Sequence, residues 1–362
     1  MAFQAILRNI AGFLPRPVAQ AGRAVWRRLP PRDKRYLLHD LETESKRTAF
    51  LESPDYRRFC DIEGAYWAGV SSGDIAGAPA AEAEPAPARI EHVWQHPLAR
   101  KLLYAIPGLN APDFWSWLAS RGSGYGHVFV PGAGAGNDCR VLIDMGFARR
   151  VDANDISEEL AARAQAVYES MGYGIRYVVG DLNKLTVPRN KYDAVVAIHA
   201  LHHAVALERL ARELARSLKS GGELFMEEYV GPRYLKYPDA VRRHVRRWHK
   251  MLPERLRRDR GGAAIRSPRF RDEWEVQKSS PFESIRSDKI VPVLSEYFAI
   301  TELWELGGGL AMPLLEQTIR NYDPADSEAN DWLARIMEED RNLTSTGAIP
   351  NFFAILRARP RS

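Results

Sequence analysis

From about residue 90 onward, short apolar runs alternate with segments whose apolar residues recur at helical spacing, the pattern of strands joined by crossover helices in a parallel sheet. Strands are predicted at His127–Val130, Arg150–Asn154, Arg176–Val179, Tyr192–Ile198, Glu223–Tyr229, Phe298–Leu306 and Phe352–Arg357. A helix from Asp138 to Met145 follows the first strand, and another opens at Ser157 with Glu158 and Glu159 in its first turn. Leu207, Leu210, Ala211, Leu214 and Leu218 set out a third, which Gly221 and Gly222 should stop. Seven strands with a late hairpin-like pair predict an α/β fold, a seven-stranded mixed sheet flanked by helices.

Before residue 90 the texture differs. Phe3, Ile6, Leu7, Ile10 and Leu14 share one helical face; Val18, Val25, Trp26 and Leu29 share a second one after Pro15 and Pro17. Residues 1–70 therefore read as a helical, basic N-terminal extension. The Ala-, Pro- and Gly-rich stretch 71–90 cannot bury a core and reads as a linker to a domain over 91–362, whose segment 231–290 is a long insertion.

Composition adds that 45% of the 362 residues are hydrophobic and 27% charged, enough for a sizeable core. No apolar run is long enough for a spanning helix, and Cys60 and Cys139 build no disulfide framework, so a cytoplasmic location is expected. The net charge of +5 is unevenly spread: residues 1–40 carry +6 and residues 242–260 carry +7, leaving the remainder at −8. Two basic stripes on an acidic body suit local anionic contacts better than a nucleic-acid track; for residues 1–36 a helical arm docked on its own domain is the favoured reading and a peripheral membrane contact the alternative. No nucleic-acid partner is expected, and deleting residues 1–36 should spare ligand binding. The oligomeric state is left open.

The turn Pro131-Gly132-Ala133-Gly134-Ala135-Gly136 sits between a strand and a helix, where glycines let a ligand approach the backbone and leave free N–H groups at the helix start. Its G-x-G-x-G spacing, with Asn137 after the last glycine, departs from the dinucleotide fingerprint. At the end of the second strand, Asp155, followed by Ile156, can accept both hydroxyls of a ribose; Asp152 is a mid-strand rival. Asp181 and Leu182 after the third strand suit an adenine edge and an apolar ceiling. Three such features at successive strand ends converge on the crevice where open α/β sheets bind ligands.

These residues resemble the class I S-adenosylmethionine-dependent methyltransferases of the small-molecule type 11 or 12. The carriers are VFVPGAGAG, VDANDISEEL, VVGDLNKL, YDAVVAIHALHH and SLKSGGELFMEEYVGP, over about residues 91 to 359. SPFESIRSDKI and NFFAILRARP look like a bacterial subgroup associated with glycan and surface-polymer biosynthesis. The resemblance implies a Rossmann-like fold, S-adenosyl-L-methionine as cofactor, and Pro131, Gly132, Gly134, Gly136, Asp155, Ile156, Asp181 and Leu182 around it. Pro131 stands where an acidic residue is frequent, so His199 or a nearby carbonyl is expected to share the methionine-amino contact.

The sulfonium carries its own electrophile, so the protein's task is placement, worth at most about 7–11 kcal/mol of barrier, plus a base where the acceptor loses a proton. His202, His203 and Glu227 are the candidates at the methyl end, with His203 having an equal claim to packing and capping. The spacing of His199, His202 and His203 would admit a metal on one helical face, but no cysteine or carboxylate pattern accompanies it, and no metal is expected. The insertion, with Val241, Val245, Trp248, Leu252 and Leu256 on one side, is expected to form an acceptor lid whose arginines mostly face water. The expected function is methyl transfer to a small-molecule or glycan acceptor, at oxygen. The alternative is a non-catalytic relative that sits on a membrane or polymer surface.

Overall fold

The computed structural model describes residues 41–71, 90, 92–278 and 280–361; the helices expected before residue 36, and with them the membrane contact, lie outside the described residues, as does the linker over 72–89. The sheet has seven strands, β1 (Val128–Val130), β2 (Val151–Asp155), β3 (Ile175–Val179), β4 (Tyr192–Ile198), β5 (Leu218–Tyr229), β6 (Phe298–Gly307) and β7 (Phe353–Pro360). Their order is β3-β2-β1-β4-β5-β7-β6. The first five are parallel, and β7 pairs antiparallel with both β5 and β6. The Rossmann-like mixed sheet predicted from the pattern is thus present. Its order reverses between β1 and β4, which opens a crevice beyond the carboxyl ends of the strands.

The helices that position the crevice are α1 (Glu44–Glu52), α2 (Pro54–Ser71), α3 (Asn137–Asp144), α4 (Glu158–Ser170), α5 (Leu207–Ser217) and α6 (Asp239–Met251). Ser157 caps α4 by accepting from the Leu160 N–H, as its sequence position suggests. The glycine stop for α5 is corrected: α5 ends at Ser217, and Gly221 and Gly222 lie within the first residues of β5. Leu218 had been placed on the helix by spacing, but it pairs with Tyr192 in the sheet. In the insertion, Val241, Val245, Leu252 and Leu256 are buried in the main core while Arg243, Arg246, Arg247 and Arg258 are exposed, so this basic segment is a core-packed helix with a solvated face.

Residues 41–71 pack on the sheet domain instead of forming a separate extension. Phe50, Tyr56 and Phe59 from α1 and α2 share a buried cluster with Val205, Tyr234, Phe282 and Ile285. At about 1.5–3 kcal/mol for each fully buried large apolar side chain, that cluster is enough to hold the two helices against the strand ends.

Candidate active site

The glycine turn is tight because it is squeezed from two sides. Gly132 has φ of +62°, and a Cβ there would lie 2.6 Å from the Cβ of Ala200 after β4. Gly136, the N-cap of α3, has φ of +79°, and a Cβ would lie 2.4 Å from the Tyr177 hydroxyl and 2.8 Å from the Tyr168 ring. Strain and collision together make Gly136→Ala destabilising by about 2–4 kcal/mol, to be read as a lower denaturation midpoint. Pro131 is corrected: it is buried at the end of β1 and does not line the crevice, where Gly132 to Asp138 supply the wall.

The crevice holds a cavity of about 300 Å³. At one end Asp155 is buried, its Oδ2 accepting from the Gly134 N–H at 3.0 Å and its Oδ1 from the Ser157 N–H at 2.8 Å. Burial raises its pKa, against these backbone donors. A carboxylate oriented in this way by backbone donors suits two vicinal hydroxyls as further donors. The rival Asp152 is accounted for elsewhere. Against burial, the Lys191 ammonium at 2.5 Å, His127 at 3.1 Å and the Tyr192 hydroxyl at 2.8 Å hold its carboxyl down to about 2. It is a structural ion cluster on the sheet.

Asp181 and Leu182 line the same end, together with Asn183 and Ile156. Asp181 is oriented rather than free: Oδ1 accepts from the Asn183 backbone at 2.9 Å, and Oδ2 accepts from the Tyr56 hydroxyl of α2. Asn183 Oδ1 in turn accepts from the Val205 and Ala206 N–H groups at 2.6 and 2.9 Å, tying the β3 loop to the β4 loop.

At the other end Asp138, in the first turn of α3, lines the cavity beside His199. Burial pushes its carboxyl up to about 6, with His199 opposing and Glu227 adding. His199 adopts φ of +48°, an uncommon conformation for a residue with a Cβ, fixed by its N–H donating to the Glu227 carbonyl at 2.9 Å. Its ring faces Trp94 and Phe353, whose centroids lie at 6.2 and 6.3 Å.

Residues 130–226 match the family model described as a methyltransferase domain. This match covers the glycine turn and α3, the acid that ends β2, all of β4 and most of β5, in a sheet of the order given above. The similarity is to a methyltransferase domain and spans 97 of the 362 residues. Curated relatives are a sterol 24-C-methyltransferase of Gibberella zeae, 30% identical over 148 residues (40% of this chain, 39% of the relative), and one of Aspergillus fumigatus, 35% identical over 105 residues (28% of each). The chain thus spans well under half the length of these relatives. A solved S-adenosylmethionine-dependent methyltransferase from Mesorhizobium loti is 21% identical, covers 68% of this chain and 98% of its own, and superposes with a TM-score of 0.39.

The site departs from the sequence reading at the end bordered by Asp138 and His199. His202 does not line the cavity: it is buried, its Nδ1 2.5 Å from Glu228, which also accepts from the Ala200, Leu201 and Tyr229 N–H groups. Against burial, the carboxylates of Glu228 and Glu283 push the His202 imidazole up to about 9. That is a loop-organising ion pair, so a direct catalytic contact for His202 is withdrawn. His203 does line the cavity, with its ring 5.2 Å from that of Trp67 and its Nδ1 2.9 Å from Glu63. Glu227 stands behind the cavity wall, accepting from the buried Tyr104 hydroxyl. Its carboxyl is pushed up to about 7 by burial, with Tyr104 opposing and Glu228 and Asp113 adding.

The expected acceptor lid reduces to Phe282, the one insertion residue on the cavity wall among those described. Much of the cover comes instead from α2, which contributes Glu63 and Trp67 to the cavity and Tyr56 to Asp181. No motif announced them, because they precede the linker and belong to an ordinary amphipathic helix. Asp138 was legible as an acid two residues beyond the last loop glycine. Cys139, behind it, is fully buried and its pKa is raised by burial and by Asp138, so it packs rather than reacts.

Proposed function

We propose that this protein transfers the methyl group of S-adenosylmethionine to a small-molecule acceptor that loses a proton on methylation. The observation that carries the reading is one cavity with two chemically distinct ends: an oriented carboxylate pair, Asp155 and Asp181, suited to a nucleoside, and Asp138 with His199, suited to an α-amino acid group. The sulfonium methyl then points toward the end bordered by His199. Behind His199, Trp94, Phe353 and Tyr229 pack together in the main core, with Trp94 and Phe353 at 4.5 Å and Tyr229 and Phe353 at 5.4 Å. The relatives' name specifies carbon as acceptor atom, but their similarity covers less than half of each chain, so oxygen remains our reading.

In this scheme the chain's own residues bind and orient. Asp155 and the Gly134 turn hold the nucleoside, Asp138 fixes the amino-acid end, and the packed α2 excludes water. Glu227, behind the wall at that end and held by the Tyr104 hydroxyl, is the base to which we assign the acceptor proton, passed through one intervening water. The test is calorimetric titration with S-adenosylmethionine followed by an acceptor screen with isotope-labelled methyl donor. Binding without transfer to any acceptor would favour the non-catalytic alternative, and no binding would end both readings.

A pH consequence follows from Glu227. As a base it must be ionised, so the transfer rate should rise with pH through about 7 and then level off. Glu227→Gln should remove that limb and slow transfer by about 10²–10⁴-fold, leaving cofactor affinity intact. An unaltered pH–rate profile in the variant assigns the base elsewhere. The stability sign is the reverse: the folded carboxyl keeps its proton above the ordinary value of 4.5, so this group's contribution declines as pH rises from 4.5 to about 7.

A further inference from the structure

His202 and His203 sit on one turn after β4, and Glu283 arrives from the far end of the insertion to face both. His202 Nε2 lies 3.6 Å from Glu283 Oε1, and His203 Nε2 lies 3.9 Å from Glu283 Oε2. Both separations are too long for hydrogen bonds. They are close to the ~3.3–3.4 Å that separates ligand atoms arranged tetrahedrally at ~2.0–2.1 Å from a zinc ion. One ligand atom from each of the three residues lies within 4.8 Å of the others.

The opposite side of each imidazole is already occupied by a carboxylate. His202 Nδ1 is 2.5 Å from Glu228, and His203 Nδ1 is 2.9 Å from Glu63. A carboxylate hydrogen-bonded behind a ring is the arrangement that fixes the tautomer and aims Nε2 at a metal; Glu228 does this for His202, while Glu63 stands beside His203 Nδ1 without hydrogen-bond alignment. The two backing carboxylates are well supplied with donors: Ser280 Oγ, the Phe282 N–H and the Trp67 indole on Glu63, and three backbone N–H groups on Glu228. Glu283 accepts from Ser284 Oγ and retains acceptor capacity toward the histidines. Three carboxylates face two imidazoles, so the cluster keeps net negative charge even with both rings protonated; Arg271 is the further cation that acts on Glu283.

We propose that His202, His203 and Glu283 form a binding site for one divalent transition-metal ion of the zinc type, reached from the cofactor cavity that His203 lines. Two imidazoles and one carboxylate select this class over magnesium or calcium, which prefer all-oxygen sites. With three protein ligands, a fourth position is left for water or an acceptor oxygen. The sequence hid the site because its carboxylate lies in another segment of the chain.

The test uses the untagged full-length protein, stripped with a chelator and titrated with Zn²⁺ by calorimetry and with Co²⁺ by absorption. The expected result is one equivalent bound, with the d–d absorption of four-coordinate Co²⁺. Glu283→Gln, which keeps the shape of the residue, and His203→Ala should each weaken binding at least tenfold. Circular dichroism checks that each variant is folded; replacing His202 is avoided because it would strand the buried Glu228. Absence of saturable binding in the parent protein, or binding that folded Glu283→Gln retains unchanged, overturns the proposal.

Discussion

Asp155→Ala is expected to weaken S-adenosylmethionine binding by a hundredfold or more. Two charge-assisted hydrogen bonds to ribose hydroxyls, at about 1.5–3 kcal/mol each, are lost together, and each 1.4 kcal/mol is a factor of ten. The substitution also strands the Gly134 and Ser157 N–H groups, which now donate to that carboxylate at 3.0 and 2.8 Å, so the turn itself loosens. A lower midpoint of unfolding, corresponding to about 1–3 kcal/mol, should accompany the loss of affinity. Calorimetry with 5′-methylthioadenosine should show the same proportional loss, since that ligand keeps the ribose. An affinity in the variant within a few-fold of the parent's would remove Asp155 from the nucleoside end.

Asp138→Asn is expected to behave differently, and the contrast separates the two ends of the cavity. Its carboxylate lines the crevice beside the glycine turn, where an α-ammonium group would meet it. S-Adenosylmethionine and S-adenosylhomocysteine should bind about 10–100-fold more weakly to the variant, the value of one partly buried charged hydrogen bond. 5′-Methylthioadenosine, which lacks the ammonium, should bind as before. Because the Asp138 carboxyl is pushed up to about 6, affinity for the amino-acid-bearing ligands should also fall in the parent protein as pH drops through that value. A uniform loss across all three ligands would mean that Asp138 supports the α3 terminus instead.

The two variants together bear on the reading of Pro131. The sequence showed a proline where an acid is frequent and passed the amino contact to His199 or a carbonyl. The structure puts an acid on the cavity wall seven positions later, at Asp138. A displaced acid of this kind escapes motif reading because what matters is its position at the cavity, and several backbone paths reach that point.

Much of the fold could be read along the chain. β4 was delimited to the residue, and the other strands to within a few residues, because a sheet buried on both faces writes near-continuous apolar runs between glycine and aspartate breaks. The crevice residues Gly132, Gly134, Gly136, Asp155, Ile156, Asp181 and Leu182 were legible for a related reason: each sits at a fixed offset from a strand end, so local sequence determines its place. Leu218 shows where local spacing misled, since helical periodicity and the first residue of a strand look alike until the pairing with Tyr192 is formed.

The partners of those residues were settled only by the tertiary structure. Tyr56 on Asp181, Glu63 and Trp67 on the cavity wall, and Glu283 opposite His202 and His203 come from segments on both sides of the central domain. Backbone periodicity records which face of an element is buried and what its termini require, and those are local quantities. Which distant carboxylate neutralises a buried imidazole is decided by long-range packing, and no spacing along the chain encodes it.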